Sequence, residues 1–156
     1  MLHNLKIENV AIIESADIYF NDGLNIMTGE TGAGKSIIID SINAVLGERT
    51  SRELVRTGCA KASVTATFRS ENKNITSILD ELGVESEADG VLIIRRTISA
   101  DGKNTCRING TPLQSVCSKL SVVNLLIFTV STIVRNCLIL KVTMFLLMSL
   151  QVMRRC

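Results

Sequence analysis

The chain has 156 residues, 46% of them hydrophobic, with 3% aromatics and a formal net charge of +2, which is enough for one domain with a sizeable core. Scarce aromatics and the lack of Trp argue against a base-stacking surface for single-stranded nucleic acid. A lone His3 and five cysteines without CxxC spacing argue against a zinc site.

Charge is unevenly spread. All 15 acidic residues lie between Glu8 and Asp101, and the last 55 residues carry seven Lys or Arg and no carboxylate. Soluble domains ordinarily mix both signs. The N-terminus has no basic stretch followed by an apolar leader, and the cysteine count is odd, so a reducing cytoplasm is the expected compartment.

In chain order, Leu5–Val10 alternates apolar and polar residues and predicts a strand, and Ala16–Phe20 predicts a second. Asn21-Asp22-Gly23 is a turn signal, and Leu24–Thr28 is an apolar run that predicts a buried strand. After a glycine-rich loop, Lys35–Leu46 places Ile38, Ile42, Val45 and Leu46 on one helical face, with Gly47 as the stop. Glu48–Lys61 is polar and predicts a loop with a short helix. Ala62–Phe68 predicts a strand, Ile75–Leu82 a helix ended by Gly83, and Val91–Ile98 a strand. Asp101-Gly102 predicts a hairpin turn with Asn104–Ile108 returning, and Asn109-Gly110 a second turn, after which Pro112 suits the first turn of a helix.

Chemistry concentrates in Gly29-Glu30-Thr31-Gly32-Ala33-Gly34-Lys35-Ser36, a full match to G-x-x-x-x-G-K-[ST], the P-loop or Walker A pattern. Glycines let the backbone wrap an anion with its N–H groups inward. A helix starting at Lys35 turns its positive end to the same phosphates. All eight residues are therefore candidate ATP ligands, with Lys35 reaching the β- and γ-phosphates and Ser36 ligating Mg²⁺. The preceding apolar run and following amphipathic helix are the context such a loop requires.

Two strands followed by this P-loop resemble the start of a chromosome-maintenance-type (SMC-like) ABC ATPase head. Thr28-Gly29-Glu30-Thr31 ahead of the loop, Ile94–Gly102, and Arg107-Ile108-Asn109-Gly110-Thr111-Pro112 are similar to a bacterial DNA-repair branch of that family. The resemblance covers residues 1 to about 115. It implies an α/β fold, the N-terminal lobe of an ABC/SMC-type ATPase head, with a mixed sheet around the P-loop helix. It implies ATP and Mg²⁺ as ligands, DNA as partner in recombinational repair of double-strand breaks, and a homodimer that sandwiches ATP between heads. It also implies a cytoplasmic, nucleoid-associated setting. Arg56 sits where such heads carry an arginine that can approach the nucleotide; a solvated loop arginine is the plainer alternative. Asp40 is expected on the helix surface.

The family continues with a glutamine-containing loop, a coiled coil and a lobe bearing the signature motif, the Walker B acid and a catalytic glutamate. None of these is visible in the 156 residues, and negligible ATPase activity is expected of the chain alone. Residues 122–156 instead form an apolar tail. A transmembrane helix needs about 18 or more apolar residues, but Arg135 and Lys141 interrupt the run, and its longest uncharged stretch, Leu120–Val134, has 15 residues. A membrane partner is therefore not expected. A shifted frame accounts for the tail better. Codons chosen for Leu126 onward, read from their third base, yield DIHGQHDRQELLD, similar to the family's glutamine-loop region. The expected organisation is an ATPase lobe over residues 1–120 and a frameshift-derived tail without a native fold over 121–156.

Two other classes compete. A small P-loop kinase or GTPase would show an NKxD-type motif or an arginine-rich lid, and neither is present. A small membrane-associated nucleotide-binding protein requires the tail to be genuine. Arg49, Arg52, Arg56 and Lys61 form a modest basic cluster whose plain reading is a solvated face.

Overall fold

A computed structural model describes residues 1–22, 25–27, 33–48, 50–69, 73–85 and 90–112. The apolar tail lies outside the described residues. The elements are β1 (Leu2–Val10), β2 (Ile13–Tyr19), α1 (Ala33–Val45), a 3-10 turn at Arg52–Leu54, β3 (Lys61–Arg69), α2 (Lys73–Leu82), β4 (Val91–Ser99), β5 (Asn104–Ile108) and β6 (Thr111–Pro112). The strands form one six-stranded sheet in the order β2-β1-β3-β4-β5-β6. Every pairing among them is antiparallel, so any parallel component of the expected mixed sheet lies outside the described pairings.

Alternation decides which face is buried. Leu5 and Ile7 on β1, Ala62, Val64, Ala66 and Phe68 on β3, and Leu92, Ile94 and Ile98 on β4 all point to one side and are almost fully enclosed. α1 lies against that side, touching β1, β3 and β4. Ile75, Leu79 and Val84 bring α2 and its exit into the same core. Each such side chain withdrawn from water contributes about 1.5–3 kcal/mol. The opposite face is polar, with Lys6, Glu8, Ser63, Arg95 and Thr97. There Glu8 meets Lys6 at 3.1 Å and Arg95 at 3.7 Å, and Arg95 Nε donates to Ser63 Oγ at 3.2 Å.

Both helices end on a glycine, as their sequences predict. Gly47 has φ 95° and Gly83 φ 70°. Glu48 N–H donates to Asn43 O (3.1 Å) and Gly47 N–H to Ala44 O (3.2 Å); Val84 N–H donates to Leu79 O (2.9 Å) and Gly83 N–H to Asp80 O (3.0 Å). These paired bonds are the Schellman arrangement, which satisfies carbonyls the helix leaves open.

Two expectations need correction. α1 buries Ile37, Ser41, Ala44 and Val45 together with Ile42, while the expected Ile38 and Leu46 are partly buried against the same core, so the stripe is turned by about one residue. Ser41 is the cause: a polar residue within the stripe, its Oγ donating to Ile37 O at 2.7 Å, so its burial leaves no unmet group. The apolar run Leu24–Thr28 was expected as a buried strand, yet its described residues 25–27 are not extended into the ladder, and Ile26 is 72% exposed. Asn25 closes a loop on Asn21 instead, accepting from Asn21 N–H (3.0 Å) and donating to Asn21 O (2.8 Å). Pro112 lies in β6, and the helix expected to follow from it falls outside the described residues. Asn109 and Gly110 have φ 44° and 80°, the positive values a two-residue type I′ hairpin needs. The chain therefore returns with Thr111 opposite Ile108 and Pro112 opposite Arg107, and an edge strand tolerates a residue without N–H.

Candidate nucleotide-binding site

The P-loop leads directly into α1, whose first residue is Ala33. Gly29, Glu30, Thr31 and Gly32 lie outside the described residues, and Ala33 is described by its backbone alone. Gly34 and Ser36 are exposed and Lys35 is half-buried, while Ile37 beneath them is fixed in the core. The first turn is thus anchored on one side and open on the other.

This turn suits an anion. It contains no acidic residue to offset the positive end of the helix. A Cβ built on Gly34 would meet nothing within 4 Å, so the helix side at Gly34 is open. Lys35 and Ser36 supply a cation and a hydroxyl beside the backbone N–H groups of the first turn. These residues fit a nucleoside triphosphate with Mg²⁺: backbone and Lys35 for phosphate oxygens, Ser36 for the metal.

Arg56 has its described side-chain contacts at the β1–β2 turn. Its Nη1 donates to Ile12 O at 2.6 Å, its backbone N–H to Asn9 O at 2.9 Å, and its guanidinium lies 3.9 Å from Glu14. It therefore fastens the β1–β2 turn, where Ala11 holds φ 49° and donates its N–H to Leu54 O at 2.8 Å. Asp40 is exposed on α1. Of the basic cluster, Arg49 is outside the described residues, Arg52 is exposed in the 3-10 turn and Lys61 opens β3. A shallow hollow of about 410 Å³ lies on the polar face of the sheet, lined by Glu8, Glu14, Ser63, Arg95 and Thr97 among others. Its two glutamates, Glu8 and Glu14, are balanced by Lys61 and Arg95, so it has no excess positive charge to draw phosphates.

Sequence reasoning passed over Arg96. It occupies the row Leu92, Ile94, Ile98 on the face toward α1, and its Nη1 donates to Ala44 O (2.6 Å) and Glu48 O (2.8 Å) at the far end of that helix. Its Nη2 reaches Thr50 Oγ1 at 3.3 Å. Burial pushes its pKa down from the usual arginine value, while the Cys106 sulfur opposite raises it. The available signal was an arginine breaking the period-two apolar pattern of β4.

A P-loop helix laid across an antiparallel sheet, with its glycine-rich entry at one end, defines the N-terminal lobe of an ABC/SMC-type ATPase head. The chain belongs to the AAA domain family, whose model matches residues 4–133. It is 46% identical over 111 residues to DNA repair protein RecN of Bacillus subtilis, covering 70% of this chain and 19% of that protein. RecN of Haemophilus influenzae is 39% identical over 117 residues, covering 74% and 21%. The chain thus spans about a fifth of the length of the curated relatives it matches. Among solved structures, an Smc head domain with an extended coiled coil from Pyrococcus furiosus superposes with TM-score 0.62 at 21% identity, over 78% of this chain and 32% of that one. The recombination mediator RecF with ATP superposes with TM-score 0.56 at 19% identity, over 74% and 29%. At these identities the likeness speaks for the fold.

Proposed function

We propose that the chain is the ATP-binding part of a RecN-like protein acting in recombinational repair of double-strand breaks. The observation that carries it is the complete G-x-x-x-x-G-K-S loop opening into α1 in a chain 46% identical to a protein named DNA repair protein RecN. In this reading Gly29 to Ser36 bind ATP, Lys35 holds the β- and γ-phosphates and Ser36 ligates Mg²⁺. DNA is the partner, two heads pair in a homodimer, and the setting is the cytoplasm at the nucleoid. Among the described residues no helix is long and apolar enough to cross a membrane.

Equilibrium binding of a fluorescent ATP analogue with Mg²⁺ tests the reading. The 156-residue chain should bind, and Lys35→Ala should weaken binding by tenfold or more, about 1.4 kcal/mol. Equal affinity in the two would sink it.

The tail is part of the same proposal. Residues after about Ser115–Asn124 are a frameshift product, an idea resting on the missing carboxylates and on the glutamine-loop sequence recoverable from Leu126 onward. A gene sequence that cannot yield DIHGQH in another frame removes it.

A further inference from the structure

The Arg96 contact at Ala44 lies nine residues along α1 from Lys35 and eight from Ser36, about 13 Å from Lys35 at 1.5 Å per residue. It touches neither the glycine-rich loop nor the first turn in any described contact. What it grips is the opposite end of the same helix: Ala44 O, Glu48 O and Thr50 Oγ1. Its own backbone is fixed in the sheet, opposite Val64 on β3 and Cys106 on β4's other neighbour, β5.

We infer that Arg96 is a positioning residue for nucleotide binding, clamping the end of α1 to the sheet so that the phosphate-facing turn keeps one orientation. The inference rests on the ATP-binding reading above. Three considerations support it. The Schellman bonds already satisfy the Asn43 and Ala44 carbonyls, so a second donor at Ala44 is not required merely to cap the helix. The cation stands at the negative end of the helix, where it is electrostatically favoured. The guanidinium fork spans the helix end and the segment leaving it, tying Thr50 into the same grip, which the compact ammonium of lysine does less completely. A helix is a stiff rod, so freedom at one end becomes misplacement of groups at the other, and bound phosphate is sensitive to such misplacement.

The test compares binding of the fluorescent ATP analogue with Mg²⁺ by the full chain and by Arg96→Met, Arg96→Lys and Val84→Ala, alongside thermal unfolding. Val84 packs at the α2 end of the core, so its truncation lowers stability without touching the α1 clamp. Arg96→Met should raise Kd about tenfold, Arg96→Lys should recover most of the loss, and Val84→Ala should leave Kd unchanged below its Tm. If Arg96→Met unfolds at the assay temperature, Arg96→Gln, which retains a donor, takes its place with an intermediate Kd expected. Wild-type affinity in a folded Arg96→Met or Arg96→Gln overturns the inference, as does an equal loss in Val84→Ala. If the unsubstituted chain does not bind the analogue, the ATP-binding reading falls first and this inference with it.

Discussion

Cys106 faces Arg96 across the β4–β5 ladder and is half-buried as a free thiol. Burial pushes its pKa above the ordinary 9.0, with the Arg96 charge and the Arg107 N–H pulling the other way. A thiol whose folded pKa is raised keeps its proton more firmly folded than unfolded. Its contribution to stability is therefore complete below pH 9.0 and is lost as pH rises through the higher folded value. The stability difference between the wild-type chain and Cys106→Ala should be constant from pH 6 to 8 and should narrow by pH 10, measured by urea unfolding. A difference that widens with pH would show that the Arg96 charge, and not burial, governs the thiol. At this scale the sequence is informative where one side chain carries its own chemistry, as Lys35 and Ser36 do. It is less so where the partner is a distant backbone carbonyl, as for Arg96, because nothing local to Ile94-Arg95-Arg96 names Ala44 or Glu48.

At the level of elements, helix ends were the most legible feature. Gly47 and Gly83 stand where the apolar periodicity stops, and both take the left-handed conformation. Gly47→Ala should cost about 1 kcal/mol, because a Cβ at positive φ is strained and the Schellman bonds weaken. Denaturant unfolding monitored by circular dichroism checks this, and an unchanged midpoint would mean the exit from α1 does not need φ 95°. Strands β3, β4 and β5 were equally legible, since alternation and the Asp101-Gly102 turn locate them within one residue of their observed bounds. Two failures have one origin. A run such as Leu24–Thr28 signals burial but not which layer covers it, and Ile26 finds none among the described residues. Ser41 signals exposure, yet a helix can absorb its hydroxyl internally. In both cases tertiary context overrides a local pattern.

For the whole molecule, binding and turnover come apart. The groups proposed to hold phosphate sit in one short stretch, Gly29 to Ser36, and the sheet and α1 suffice to present its end. Hydrolysis needs more: an acid to hold Mg²⁺ with Ser36, a residue to orient the attacking water, and donors that stabilise charge on the transferring phosphoryl group. Among the described residues the carboxylates nearest in sequence to the site, Asp40 and Asp22, are exposed, Asp40 on α1 and Asp22 after β2, and the fifth of relative length spanned here carries no recognisable Walker B or signature motif. The purified chain should therefore bind Mg²⁺ and ATP with turnover indistinguishable from the Lys35→Ala variant in a phosphate-release assay. Robust Mg²⁺-dependent turnover abolished by Lys35→Ala would show that the lobe assembles its own water-activating group, and exposed Asp40 and Asp22 would be the first residues to replace. Absence of turnover with intact binding would instead place the missing groups beyond the matched fifth, consistent with two lobes that must meet across the nucleotide.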